Sequence, residues 1–327
     1  MDNELVDVVG VGNAIVDVIS QATDDFIESQ GLEKGSMTLI DQDRANELYQ
    51  LMGPGIEASG GSAANTVAGV ASFGGTAAYI GKVRDDMLGN VFGHDIRASG
   101  VSYDLYPAQS GPHTARCLIL VTPDAQRTMS TYLGISSLLE PDDVDPATVE
   151  HGSILFCEGY LWDVESAKQA IRKAMDVARA AGRKVAFTAS DAFCVERHHQ
   201  EFLDLVDGPI DILFANIAEL THLYECDFDT AVGQVAGRVE LGCLTMGERG
   251  SLLVTDSEVV EIAPETLAPV VDTTGAGDQY AAGVLYGLAR GMELADAGRL
   301  GSLAAGEVIS HVGPRPQRPL SELLDLV

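Results

Sequence analysis

Basic residues are scarce in this chain of 327 residues. It carries 20 Lys+Arg against 49 Asp+Glu, a formal net charge of -29. A surface this acidic repels phosphate backbones, which argues against nucleic acid as a partner. It repels nucleotides too, so any phosphate site must be local, built from backbone N–H groups, a few cations and metal. Cysteines are few: Cys117, Cys157, Cys194, Cys226 and Cys243. They are odd in number, widely spaced and free of Cys-x-x-Cys pairs, which excludes a disulfide framework or a zinc site and leaves small core residues. No apolar run reaches the roughly 18 residues that suggest a membrane span. Met1 to Val6 lacks the basic-then-apolar plan of a signal peptide, so no membrane partner and a cytoplasmic location are expected. Repeats, low-complexity tracts and an evident interdomain linker are also missing.

What remains is enough apolar sequence, 46% of residues, for a large core. Val6–Val11 reads as a buried strand, followed by an apolar segment at Ala14–Ser20. Asp41–Met52 has helical spacing and stops at Gly53-Pro54-Gly55. Ser62–Phe73 reads as a tightly packed helix, Thr76–Ile80 as a strand and Gly89–Ser99 as a helix. Thr114–Thr122 and Arg127–Tyr132 read as strands joined by Pro123-Asp124-Ala125. Strands at Ser153–Cys157, Lys184–Thr188, Ile210–Ala215 and Val239–Thr245 then alternate with helices at Val164–Ala181, Glu196–Leu205 and Ala218–Tyr224. Ser251–Thr255 and Glu258–Ile262 form a hairpin, and Ala276–Arg290 and Leu294–Ile309 are helices. This rhythm predicts an α/β fold with a parallel sheet covered on both faces. Inserts near 14–40 and 105–135 break it and read as a small β-rich lid.

The most informative stretch is Asp272-Thr-Thr274-Gly275-Ala276-Gly277-Asp278. Apolar residues lead in, a glycine-rich turn follows, and a small-residue helix begins at about Ala276. Two glycines let the backbone approach a ligand. The first helical N–H groups are unpaired and form an anion site. A carboxylate there, Asp278, suits removal of a proton from a hydroxyl that attacks a phosphoryl group. Read alone, Asp278 is equally a residue favoured by the dipole in a first turn. Two look-alikes fail. No Gly-x4-Gly-Lys-Ser/Thr occurs. The dinucleotide fingerprint lacks its third glycine, with Ile15 after Gly10 and Gly12 and Tyr280 after Gly275 and Gly277.

The Asp272–Asp278 stretch resembles the C-terminal signature of the ribokinase-like (PfkB) carbohydrate kinases. Gly60-Gly61-Ser-Ala-Ala-Asn65, followed by Phe73-Gly74-Gly75, is similar to their N-terminal signature. Asn216-Ile-Ala-Glu219 resembles their Asn-x-x-Glu motif, and Thr245-Met-Gly247-Glu-Arg-Gly250 their turn near the nucleotide. The resemblance implies one kinase domain over 1–327, a ribokinase-like three-layer sandwich around a mostly parallel sheet. It implies ATP and Mg²⁺, with Asp278 as base and the backbone of Gly275, Ala276 and Gly277 as anion hole. Asn216 and Glu219 would position the metal through water, or simply cap a helix. Thr245, Gly247, Gly250 and Thr274 would meet the nucleotide. Asn13, Asp17, Gly60, Gly61 and Asn65 would meet the acceptor, Asp17 by gripping vicinal hydroxyls, with Gly60-Gly61 as a lid hinge. Arg116 and Arg127 flank the second insert; a solvated lid face accounts for them, and a contact to substrate or phosphate is the alternative. His198-His199 reads as surface. Dimerisation through lid strands and dependence on a monovalent cation stay open.

For the acceptor, Gly12-Asn-Ala-Ile-Val-Asp17 and Ser190-Asp191-Ala-Phe193-Cys194 resemble the bacterial adenosine kinase branch of the family. A base would need an apolar slot, for which Ile15, Met37, Leu39, Leu133, Tyr132 and Phe193 are candidates. From Gly12 to Thr66 the only basic residues are Lys34 and Arg44, which argues against a phosphorylated acceptor. The expectation is transfer to the 5′-hydroxyl of adenosine. The rivals are a free-sugar kinase and a binding-only nucleotide or sugar sensor, against which an intact Asp278 speaks.

Overall fold

In the computed structural model, which describes residues 5–104, 106–124 and 126–327, fourteen strands form two sheets. In chain order they are β1 Val6–Val11, β2 Ile15–Gln21, β3 Met37–Leu39, β4 Gly55–Gly60, β5 Ala77–Ile80, β6 Val101–Ser102 and β7 Ala115–Val121. Then come β8 Arg127–Tyr132, β9 Gly152–Glu158, β10 Lys184–Thr188, β11 Ile212–Asn216, β12 Leu241–Thr245, β13 Ser251–Val254 and β14 Val259–Ile262. The large sheet runs β14-β13-β12-β11-β10-β9-β1-β5-β6. It is parallel except at β13 and β14.

Side chains alternate across a strand, and here both faces are buried. On β1, Val9 and Val11 enter one core cluster with Trp162, Phe187 and Phe202, while Val8 enters the other with Phe92, Tyr280 and Val284. On β9, Leu155 and Cys157 go one way and Ile154 and Phe156 the other. Helices cover both faces and complete a three-layer α/β sandwich. The expected helix Glu196–Leu205 is two helices, Ala192–Arg197 and His199–Val206. They break at His198, whose ring lies 2.6 Å from Asp163 with its side chain 12% exposed, so His198 is not a surface residue. A helix at Phe228–Val235, capped by Asp227, was not legible; only Ala231 and Val235 of it are buried.

The second sheet runs β3-β8-β7-β2-β4. One face packs Val18, Leu118 and Leu120 against Ile27 and Leu48. The other presents Cys117, Ile119, Val121, Ile15, Ile19 and Met129. The inserts anticipated near 14–40 and 105–135 supply four of its strands, although Leu105 and Ala125 lie outside the described residues. The fifth, β4, follows the expected stop at Gly53-Pro54-Gly55. It begins with exposed residues, including Ile56, and ends in small ones, so no periodic signal marks it. β3 is equally silent, with all three residues exposed.

Candidate active site

A cavity of about 990 Å³ lies where the two sheets meet. Its floor is the turn before the Ala276–Ala289 helix. Asp272 is buried and organises that turn. Its Oδ1 accepts from the Thr274 N–H at 2.7 Å and the Thr274 hydroxyl at 2.8 Å, and its Oδ2 accepts from the Gly313 N–H at 2.9 Å. Gly275 adopts φ 75°, and a Cβ there would lie 2.7 Å from Pro314, so only glycine fits. Gly275, Ala276, Gly277 and Thr274 all line the cavity. Arg127 reaches across from β8: its Nη1 is 2.5 Å from Asp272 and its Nη2 donates to Thr273 at 3.2 Å. The expectation of a solvated face is therefore wrong for Arg127, which ties the small sheet to the turn. Arg116 instead stacks over Tyr49 and donates to Asn46.

Asp278 projects into the cavity from the first helical turn. The Ser62 hydroxyl donates to its Oδ1 at 2.7 Å and the Asn65 amide to its Oδ2 at 2.9 Å. Burial raises its pKa; these two bonds and the charge of Arg315 oppose that. Asp17, on β2, is buried and faces the same space. Burial pushes its pKa up to about 7, which Arg315 opposes and Asp278 reinforces. Gly60 does not line the cavity. It makes room for Asp17, because a Cβ at Gly60 would lie 2.2 Å from Asp17 Oδ2. Gly61 does line it, at φ 97°, with Asn13 O where a Cβ would be.

The amide of Asn13 makes internal bonds. Its backbone N–H and Nδ2 donate to Glu158 Oε1 at 2.7 and 2.9 Å, and Ser136 donates to its Oδ1. It lines the cavity and braces its wall, with one donor and one acceptor of the amide engaged internally. Asn65 is similarly engaged, donating to Asp278 and accepting from Arg315 Nε at 2.7 Å. Glu158 and Arg315 belong to no motif read from the sequence. Glu158 is buried, also accepts from the Ala63 N–H, and has its pKa pushed up to about 7 by burial.

At the other end, Asn216 and Glu219 form a reciprocal cap on the Ile217–Tyr224 helix. Asn216 Oδ1 accepts from the Glu219 N–H at 3.0 Å, and Glu219 Oε2 accepts from the Asn216 N–H at 2.9 Å. Both line the cavity, as do Thr245, Ser190 and Phe193. Phe193 is 70% exposed and Ser190 holds φ 74°, unusual without glycine. Gly247 and Gly250 lie outside the cavity, in the turn from β12 to β13. Both have positive φ, and a Cβ on Gly250 would meet Ile262 O at 2.0 Å. Their glycines serve the turn itself.

The cleft thus holds one carboxylate at a glycine-rich helix start and another on the small sheet. Residues 43–320 match the model of the pfkB family carbohydrate kinases. The chain belongs to the PfkB family. An adenosine kinase of known structure from Sinorhizobium meliloti is 50% identical to this PfkB chain over 99% of each, with a TM-score of 0.93. A probable sugar kinase from Rhizobium etli CFN 42 is 47% identical, covering 99% of this chain and 98% of that one, with a TM-score of 0.93. Probable fructokinase-4 of Arabidopsis thaliana is 28% identical over 238 residues, 70% of this chain and 73% of that protein. This PfkB chain is therefore an ATP-dependent kinase with the ribokinase-like fold, in the class that phosphorylates sugars and nucleosides. Among the described residues no helix is long and apolar enough to cross a membrane.

The family implies ATP and usually Mg²⁺. Among the described residues no group of three His, Cys, Asp or Glu side chains is arranged to hold a metal directly. Glu219 and Asn216 are engaged with each other at the cavity wall, which fits a hydrated ion held through water better than one stripped to protein ligands.

Proposed function

We propose that this kinase transfers the γ-phosphate of ATP to the 5′-hydroxyl of adenosine. The observation that carries the reading is the apolar wall beside Asp17. Ile15, Met37, Leu39, Ile119, Met129 and Leu133, all facing the cavity, make a slot for a flat base next to a carboxylate suited to a ribose diol. The adenosine kinase at 50% identity supports the same reading. Arg127 is committed to Asp272, which leaves it unsuited to a phosphate on the acceptor.

In this reading Asp278 is the base. The acceptor oxygen attacks the γ-phosphorus, its proton passes to Asp278, and the bond to the ADP oxygen breaks. The Ser62 and Asn65 bonds hold the carboxylate in place before the acceptor arrives. The Gly275–Gly277 backbone receives negative charge that spreads over the transferring group. Thr245 and Thr274 border the nucleotide. Asn216 and Glu219 would hold Mg²⁺ through water, and the ion would supply neutralisation of phosphate charge. Asp17 grips the ribose hydroxyls. The fit favours its ionised form, since a carboxylate accepts both hydroxyl protons.

The test is ADP release from MgATP with adenosine, inosine, ribose, fructose and fructose 6-phosphate. Turnover with adenosine far above the free sugars supports the proposal. Preference for ribose or fructose overturns the acceptor and keeps the base. Binding of MgATP and adenosine without ADP release overturns catalysis itself.

A further inference from the structure

Arg315 lies in the irregular segment after the Leu294–Val308 helix, far in sequence from every signature. Its partly buried guanidinium touches three neutral oxygens. Nε donates to Asn65 Oδ1 at 2.7 Å, Nη2 to Ser59 Oγ at 2.9 Å and Nη1 to Ser99 Oγ at 3.3 Å. None of these partners carries charge. A guanidinium withdrawn from water costs free energy unless carboxylates stand close by. They stand one residue further out. Ser59 donates through its hydroxyl and its N–H to Asp95, at 2.6 and 2.7 Å. Asn65 donates to Asp278, and Asp17 also feels the cation.

The geometry gives the amide of Asn65 a single useful orientation. An amide has one accepting end and one donating end. Arg315 offers only donors, so Oδ1 must face Arg315 and Nδ2 must face Asp278. Turned over, the amide would set donor against donor and acceptor against acceptor. The Arg315 fork also points three ways at once, which an ammonium on a flexible stem cannot reproduce.

The charged and titratable groups around Asp278 come from several elements. Asp17 on β2, Glu158 at the end of β9 and Tyr160 just beyond it are acidic or neutral, and Ser62 and Asn65 are neutral. Among these neighbours Arg315 is the one cation. Burial alone favours the protonated acid, which cannot accept a proton.

We propose that Arg315 is a positioning residue for phosphoryl transfer. It fixes the Asn65 amide toward Asp278 and keeps that carboxylate ionised. The proposal rests on Asp278 as the base. Removing the cation raises the pH at which Asp278 ionises, so the acid limb of the rate profile must move up.

The experiment measures kcat against pH at saturating MgATP for wild type, R315Q, R315K and D278N. Adenosine is the acceptor, or whichever of ribose and fructose is turned over if adenosine is not. Melting curves and MgATP binding check folding. For R315Q we expect kcat to fall at least about tenfold and the acid limb to rise by about one pH unit, the scale of one charge acting across one intervening side chain. R315K keeps the charge, so its limb stays near wild type while kcat falls severalfold for want of the fork. R315Q with wild-type kcat and limb overturns the proposal, as does R315K matching R315Q in both. If R315Q does not fold, R315K decides: full wild-type kcat in it refutes the positioning role. D278N separates the two layers. Near-normal turnover in D278N sinks the base itself, whereas an inactive D278N beside an unaffected R315Q sinks only the role of Arg315.

Discussion

The sharpest test of the acceptor site is a methyl group. Gly60 does not line the cavity, and its φ lies outside the left-handed region, so alanine can adopt its backbone without strain. Yet a Cβ there would lie 2.2, 2.6 and 2.4 Å from the two oxygens and the Cγ of Asp17. Real Cβ atoms do not approach so closely, so the carboxylate must rotate away. Hydrogen bonds to a charged group are worth about 1.5–3 kcal/mol each. Losing one of the two that Asp17 would make to a diol raises the acceptor KM about 10- to 100-fold. Gly60→Ala should do this while leaving the KM for MgATP unchanged, measured by coupled ADP release with each substrate varied in turn. Asp17→Ala should have at least as large an effect. Because Gly60→Ala acts only through Asp17, adding it to Asp17→Ala should change little, giving strong non-additivity. Additive effects, or equal rises in both KM values, would refute the reasoning.

Asp278→Asn should lower kcat by about 10²- to 10⁴-fold, the usual worth of a general base, with MgATP binding retained by calorimetry; lost binding with preserved turnover would reverse the assignment. Gly275→Ala should destabilise by at least about 1 kcal/mol, from the αL cost alone, and weaken MgATP binding; an unchanged melting temperature would mean the turn can yield. Stability should fall as pH rises from about 5 to 8. Burial pushes Asp17, Glu158 and Glu219 each up to about 7, so the folded state binds protons that the unfolded chain has released. That stabilisation is complete below the unfolded carboxylate values near 4 and is lost as pH passes about 7. Melting temperatures at pH 6 and pH 8 check it, and Asp17→Asn should flatten the slope.

The three-layer plan was legible because strand and helix periods alternate cleanly from Gly152 onward. The phosphate turn was legible because Gly275 must hold a conformation that other residues avoid. β3 and β4 were not, since an exposed strand carries no burial pattern. Asn13, Asp17 and Asn65 were picked out through the family resemblance of the segments that carry them. What Asn13 and Asn65 hold could not be read, because the partners are remote: Glu158 is 145 positions from Asn13, and Arg315 is 250 from Asn65. A lone Glu at a strand end and a lone Arg between prolines give no local sign of what folding sets beside them. Arg127 misled for the converse reason. An arginine near a polar hairpin reads as solvated, and only the tertiary fold brings Asp272 to it.

The division of labour between the sheets bears on how such a protein diverges. The small sheet supplies Asp17 and the apolar wall, while the end of β11 supplies the Asn216–Glu219 cap and a helix packed on the large sheet supplies the glycine turn and Asp278. Of the wall residues, Ile15, Ile119 and Met129 belong to a minor cluster of their own, separate from the two great cores, and Met37 and Leu39 are exposed. Mutation can therefore explore new wall shapes without disturbing the packing on which folding depends. Ancestry is then recorded in the large sheet and diet in the small one, joined at Gly60-Gly61 and at the Arg127–Asp272 pair.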